Sequence, residues 1–138
     1  MRAGRNINGN AGVNIRPTTR VAIYLRDGYR CGWCWAAQSE CDPFQVTLDH
    51  LEPHDNGGGN SPTNLVTACR SCNCRRQSVD WETFAGNSRV ISRVLDLSTT
   101  PLPRELAGLV IFGVISKLDA IREVRARDGA SPQTGSPH

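Results

Sequence analysis

The chain has little lysine, and its middle has no basic residue at all. Of its 16 basic residues only Lys117 is a lysine; the rest are arginine, whose planar fork of donors matches phosphate oxygens. Codon bias in a GC-rich genome produces the same excess, so the excess alone decides nothing. Between residues 31 and 65 there is neither Lys nor Arg, while Glu40, Asp42, Asp49, Glu52 and Asp55 fall there. An acidic segment between arginine-rich flanks suits a cation site bordering an anion-binding surface, and equally suits an unevenly charged solvated face. Long apolar runs are also missing. The N-terminus "MRAGRNINGNAGVNIRP" has no secretory core, and Leu106–Ile115 is far short of the ~20 residues of a membrane span. A cytoplasmic protein without membrane contact is therefore expected, with its cysteines reduced. No internal repeat is present, and no alternation of strands and helices suggests a βαβ unit.

The 138 residues suit one domain with a modest core. Residues 1–17 read as a flexible Arg/Gly/Asn-rich arm and 129–138 as a disordered tail. "TTRVAIYLRDGYRC" reads as a short helix capped by Thr18 or Thr19 and stopped at Asp27–Gly28. "FQVTLDH" (Phe44–His50) and "NLVTA" (Asn64–Ala68) read as strands, joined by a Gly/Pro/Asn/Ser loop into a long antiparallel hairpin. A helical pattern then runs from Arg70 to about Ala85, and another is marked by Val90, Ile91, Val94 and Leu95. After "STTPLP" a longer helix starts at Pro103, with apolar residues at Leu106, Val110, Val114, Leu118 and Ile121. The helix Leu106–Ile121 suggests either burial against the core or a surface for a homodimer or a protein partner.

Four of the six cysteines form two C-x-x-C pairs, "CGWC" and "CRSC". Each pair lets two thiolates converge on one ion, and two pairs make a closed tetrahedral Zn²⁺ site of Cys31, Cys34, Cys69 and Cys72. Two disulfides, one redox-active pair or inert core cysteines are the alternatives; a reducing compartment and the missing βαβ unit count against the first two. Cys41 and Cys74 are left over, and neither is expected to ligate.

Taken together, "CGWC … LDHLEP … GGGNSPTNLVTACRSCN" resembles the HNH endonucleases, in the version with four zinc cysteines, which includes stand-alone phage-type members. The resemblance implies an α+β fold: a small zinc-stapled ββα-metal core with flanking helices. On this basis residues 18–87 form the nuclease domain and 88–128 a helical C-terminal extension. It places the three motif positions on His50, Asn64 and Asn73, with Asp49 before the first. His50 is then the general base. Asp49 and Asn73 hold a catalytic divalent ion, Mg²⁺ or Mn²⁺ by the oxygen character of the ligands. Asn64 braces the loop or orients His50. Arg70, Arg75 and Arg76 are candidate contacts to the phosphates of double-stranded DNA. Because neighbouring strand residues face opposite ways, Asp49 and His50 are expected where the strand ends and the backbone turns. His54 reads as a bystander or a DNA contact, and Trp33 and Trp35 as packing around the cysteines. A catalytically inactive, zinc-stabilised nucleic-acid-binding module is the competing function.

Overall fold

The computed structural model describes residues 15–37, 45–53 and 59–129. The arm before residue 15, Cys41, His54 and the tail after residue 129 lie outside these.

The first helix, α1 (Pro17–Arg26), opens on Pro17, whose fixed φ and missing N–H suit the first helical position. Arg16 precedes it with no side-chain cap, so Thr18 and Thr19 lie inside the helix and do not cap it. Asp27 closes the helix, followed by Gly28 at φ +70°. Strands β1 (Val46–His50) and β2 (Leu65–Cys69) pair antiparallel, from Val46 opposite Cys69 to His50 opposite Leu65. One 3₁₀ turn, Pro62–Asn64, leads into β2.

The helical stretch expected from Arg70 to Ala85 is two helices, α2 (Arg70–Arg76) and α3 (Trp81–Ala85). The break falls at Gln77, at φ +47°. There Arg76 Nε donates to the Val79 carbonyl, the Val79 N–H returns to the Arg76 carbonyl, and Asp80 caps the next helix through the Thr83 N–H. Helix α4 (Ser88–Thr99) follows, capped by Asn87. The long helix expected from Pro103 is also two, α5 (Arg104–Ile111) and α6 (Lys117–Gly129). Gly113 takes φ +77°, its N–H bonds the Val110 carbonyl at 3.0 Å, and the Val114 N–H bonds the Leu109 carbonyl at 2.8 Å. This pair of bonds is the Schellman ending of a helix, and a glycine supplies it without Cβ strain. The stretch Leu106–Ile121 is therefore not one surface. Leu106, Ala107 and Ala120 are buried in the cluster around α1, and Phe112, Val114 and Leu118 stand exposed.

Alternation along the strands sends side chains to two apolar layers. Val66 and Ala68 join Cys31, Trp33, Cys72, Trp81 and Val94 on one face. Leu48 and Leu65 join Ile15 and Ile23 on the other. The helices after residue 88 thus serve both layers: α4 covers the cysteine side and α5 packs on α1. At the hairpin's centre lies a fully buried ion pair, Arg26 Nε to Asp27 Oδ1 at 2.7 Å. Arg26 also donates to the Pro62 and Leu65 carbonyls, and Asp27 Oδ2 accepts the Thr67 N–H at 2.8 Å. The Leu65 carbonyl and the Thr67 N–H are strand groups that face away from β1, and bonding them is what makes a buried pair tolerable.

Candidate metal centre and active site

The sulfurs of Cys31, Cys34, Cys69 and Cys72 all lie within 4.8 Å of one another. A tetrahedral Zn²⁺ with Zn–S bonds of about 2.3 Å sets its sulfurs about 3.8 Å apart, and Cys34 and Cys69 are 3.9 Å apart. The donor set is the closed structural type, and it fits zinc. Its local geometry follows from the two short turns. The N–H groups of Trp33 and Cys34 point at Cys31 Sγ, and that of Cys72 at Cys69 Sγ, each at 3.4 Å. Cys69 is also the N-cap of α2, so one residue both ligates and starts the helix. Gly32 brings the first turn against β2: its N–H bonds the Thr67 carbonyl at 2.8 Å, and a Cβ there would sit 2.6 Å from Val66 Cγ2. Burial pushes the Cys31 thiol up to about 11 and raises Cys72 as well. Burial acts the same way on Cys69, but the Cys72 N–H and the neighbouring thiols outweigh it and bring that thiol below its ordinary value. Without a cation, burial keeps Cys31 and Cys72 protonated at neutral pH. Cys74 is exposed on α2 and stands outside the cluster.

Two arginines brace the centre. Arg75 donates to Cys72 Sγ at 3.1 Å, and its guanidinium lies over the Phe84 ring. Arg93 reaches from α4 to the carbonyls of Gly32 and Trp33 at 2.8–3.1 Å and lies over Trp35. No sequence signal points to Arg93, because sixty residues separate it from the turn it holds.

Asp49 and His50 are the last two residues of β1, both inside the ladder, opposite Val66 and Leu65. The strand does end at this pair, with the backbone bending at Leu51, but the turn comes after His50 and not between the two. Their side chains accordingly take opposite faces. Asp49 lies on the Val66 face, beneath α2. There its Oδ1 accepts Arg76 Nη1 at 2.8 Å and its Oδ2 accepts Trp33 Nε1 at 3.0 Å. Burial raises the Asp49 carboxyl above its ordinary range, against the lowering pull of Arg76 and Trp33. Asn73 shares this face and donates from Nδ2 to Thr47 Oγ1 at 2.9 Å. His50 lies on the other face, at the rim, with Nε2 2.8 Å from Asn60 Oδ1. The arrangement in which Asp49, Asn73 and His50 surround one point from a single face is thus not the one adopted.

Asn64 ties the long loop shut. Its Oδ1 accepts the Glu52 N–H, its Nδ2 donates to the Glu52 and Gly59 carbonyls, and its own carbonyl accepts the Leu51 N–H. Arg76 departs from the sequence expectation. It is 4% exposed and its donors are spent on Asp49 and on the carbonyls of His50, Leu51 and Val79, so it staples the strand end and offers nothing to a phosphate. Arg70 and Arg75 are exposed; Arg70 also bonds Gln45. Sequence reasoning missed Trp33 as a donor, though its place inside "CGWC" was visible. Among the described residues no third carboxylate or imidazole joins Asp49 in a metal-type cluster. What remains there for a hard cation is one carboxylate, with about four lone-pair sites of which two are used, and one amide.

Among the described residues no helix is long and apolar enough to cross a membrane. No curated protein and no solved structure matches the chain. Residues 31–78, which run from the first zinc-type cysteine to just past α2, match the family model described as HNH endonuclease. With their four-cysteine cluster and two-stranded hairpin followed by a helix, residues 31–78 therefore form an HNH endonuclease domain.

Proposed function

We propose that the protein is a metal-dependent endonuclease that hydrolyses phosphodiester bonds of double-stranded DNA. The observation that supports it best is the Asp49–His50 pair at the end of β1, inside the HNH-matching segment and framed by the loop that Asn64 closes. Because the two side chains face opposite ways, the phosphate position that serves both lies past the end of the strand and not above either face.

His50 is the general base. Its ring is held at the rim of the strand end by the 2.8 Å contact of Nε2 with Asn60 Oδ1. It takes a proton from the attacking water, the water oxygen bonds to phosphorus, and the P–O3′ bond breaks with O3′ taking a proton from solvent, leaving a 5′-phosphate and a 3′-hydroxyl. Such a base contributes on the order of 10²–10⁴-fold. Asp49 and Asn73 would hold Mg²⁺ or Mn²⁺, whose chemistry is to offset charge on the phosphoryl oxygens and the leaving oxygen. Asn64 keeps the loop and Asn60 in place. Arg70 and Arg75 remain the candidate phosphate contacts, which position DNA without reading its sequence. Zinc at the four cysteines is structural and takes no part in these steps.

Supercoiled plasmid incubated with the zinc-loaded protein and Mg²⁺, Mn²⁺ or Ni²⁺ should be nicked or linearised, and His50→Ala should not cut it. DNA that is shifted but uncut by both proteins would instead identify a zinc-stabilised binding module.

A further inference from the structure

The zinc knuckle and the candidate active site share a side chain. Trp33 sits between the two cysteines of the first pair. Its backbone N–H bonds Cys31 Sγ, and its carbonyl accepts Arg93. Its ring is packed edge-on against Phe84 at 5.4 Å and tilted against Trp81 at 6.2 Å, and the Arg76 guanidinium lies 5.6 Å from its centroid. An indole fixed on this many sides still has one polar atom to place, and that atom donates to Asp49 Oδ2. The other carboxylate oxygen is taken by Arg76, itself fixed by three backbone carbonyls.

We propose that Trp33 and Arg76 are positioning residues, which transmit the order of the zinc knuckle and of α2 to the two oxygens of the Asp49 carboxylate. The inference rests on the reading of Asp49 as a ligand of the catalytic ion. The physical reason is orientation. An aspartate on a strand has two free torsions, and a ligand held by two rigid donors loses that freedom before the ion arrives. One donor belongs to the loop carrying Cys31 and Cys34, the other to the helix that Cys69 and Cys72 start, so the four cysteines set both. A tryptophan that only filled space would leave its N–H without a buried carboxylate to meet.

The test is Trp33→Phe in the full chain, which keeps an aromatic ring in the cluster and removes the donor. Arg76→Lys, which keeps the charge and removes the fork, is its companion. Three quantities are read: zinc per chain, the Mn²⁺ dissociation constant by electron paramagnetic resonance, and kcat and KM on a duplex. Zinc should stay at one per chain, Mn²⁺ affinity and kcat should each fall about tenfold or more, and KM for DNA should not move. Trp33→Phe with full zinc and unchanged Mn²⁺ affinity and kcat would overturn the proposal. Loss of zinc under both substitutions would also overturn it, because the pair would then belong to folding alone. If the unsubstituted protein binds Mn²⁺ through Asp49 but cuts no DNA, the nuclease reading fails and the Mn²⁺ comparison still decides this one.

Discussion

Replacing Cys69 by serine isolates the contribution of the metal centre, because the substitution leaves the local helix start intact. Serine is a good N-cap and can accept the Cys72 N–H as the thiolate does. What is lost is one zinc ligand in a site buried at three of its four corners. The loop from Cys34 to Cys69 closes 35 residues. A fixed link across a loop of that length contributes about 4 kcal/mol by chain entropy alone. Complete structural zinc sites contribute about 10–16 kcal/mol of apparent folding free energy, against a total stability of about 5–15 kcal/mol for a typical domain. A loss of at least ~4 kcal/mol at roughly 3 °C per kcal/mol lowers Tm by about 12 °C or more. Zinc per chain measured by elemental analysis, and melting followed by near-ultraviolet circular dichroism of Trp33 and Trp81, report the two effects together. Cys34→Ser should be milder, because Cys34 is exposed and water can take the fourth position. Full zinc content in Cys69→Ser with a Tm within ~3 °C of the parent would refute the argument. So would a parent protein that melts identically after exhaustive chelation.

The pH response should reverse sign with the metal. In the metal-free chain Cys31 is raised from 9.0 to about 11 by burial, so its contribution to stability is present below about pH 9 and lost as pH rises through about 11. In the zinc-loaded chain protons compete for the thiolates, so stability falls towards acid; urea melts across both ranges, with and without zinc, read the two slopes. Arg26→Ala should cost about 3–5 kcal/mol in a urea melt, since it removes the counter-charge of the buried Asp27 carboxylate and the donor to the Leu65 carbonyl; a loss under 1 kcal/mol would contradict that. Gly32→Ala should cost about 1–3 kcal/mol and speed zinc release to a chromogenic chelator, because the added Cβ meets Val66 at 2.6 Å and lifts the knuckle from β2.

The cysteine spacing and the two β-rich runs were enough to place the hairpin and its staple, because both signals are local. The strands differ from their expected spans by at most two residues at either end. The helix breaks at Gln77 and Gly113 were not legible. At Gln77 the break is made by Arg76, whose side chain is drawn under the hairpin by Asp49, a partner distant in sequence. At Gly113 the glycine was visible, but the apolar spacing ran straight across it. Arg76 itself was misread for the same reason as the first break. Exposed phosphate contact and buried staple look alike in a sequence, and only the strand end beneath α2 separates them. The expected turn at Asp49 and His50 is not there, because both residues are paired inside the ladder. The opposite facing of the two side chains followed from strand alternation, and it moves the proposed reaction centre to the end of the hairpin.

Single-turnover cleavage of an end-labelled duplex tests whether His50 is the general base, with parent and His50→Ala proteins matched for zinc content and supplied with Mg²⁺. The parent should cut to 5′-phosphate and 3′-hydroxyl ends, with a rate lower by about 10²–10⁴-fold in the variant. Equal rates in the two proteins, or no cutting by a zinc-loaded parent with any divalent ion, would contradict it.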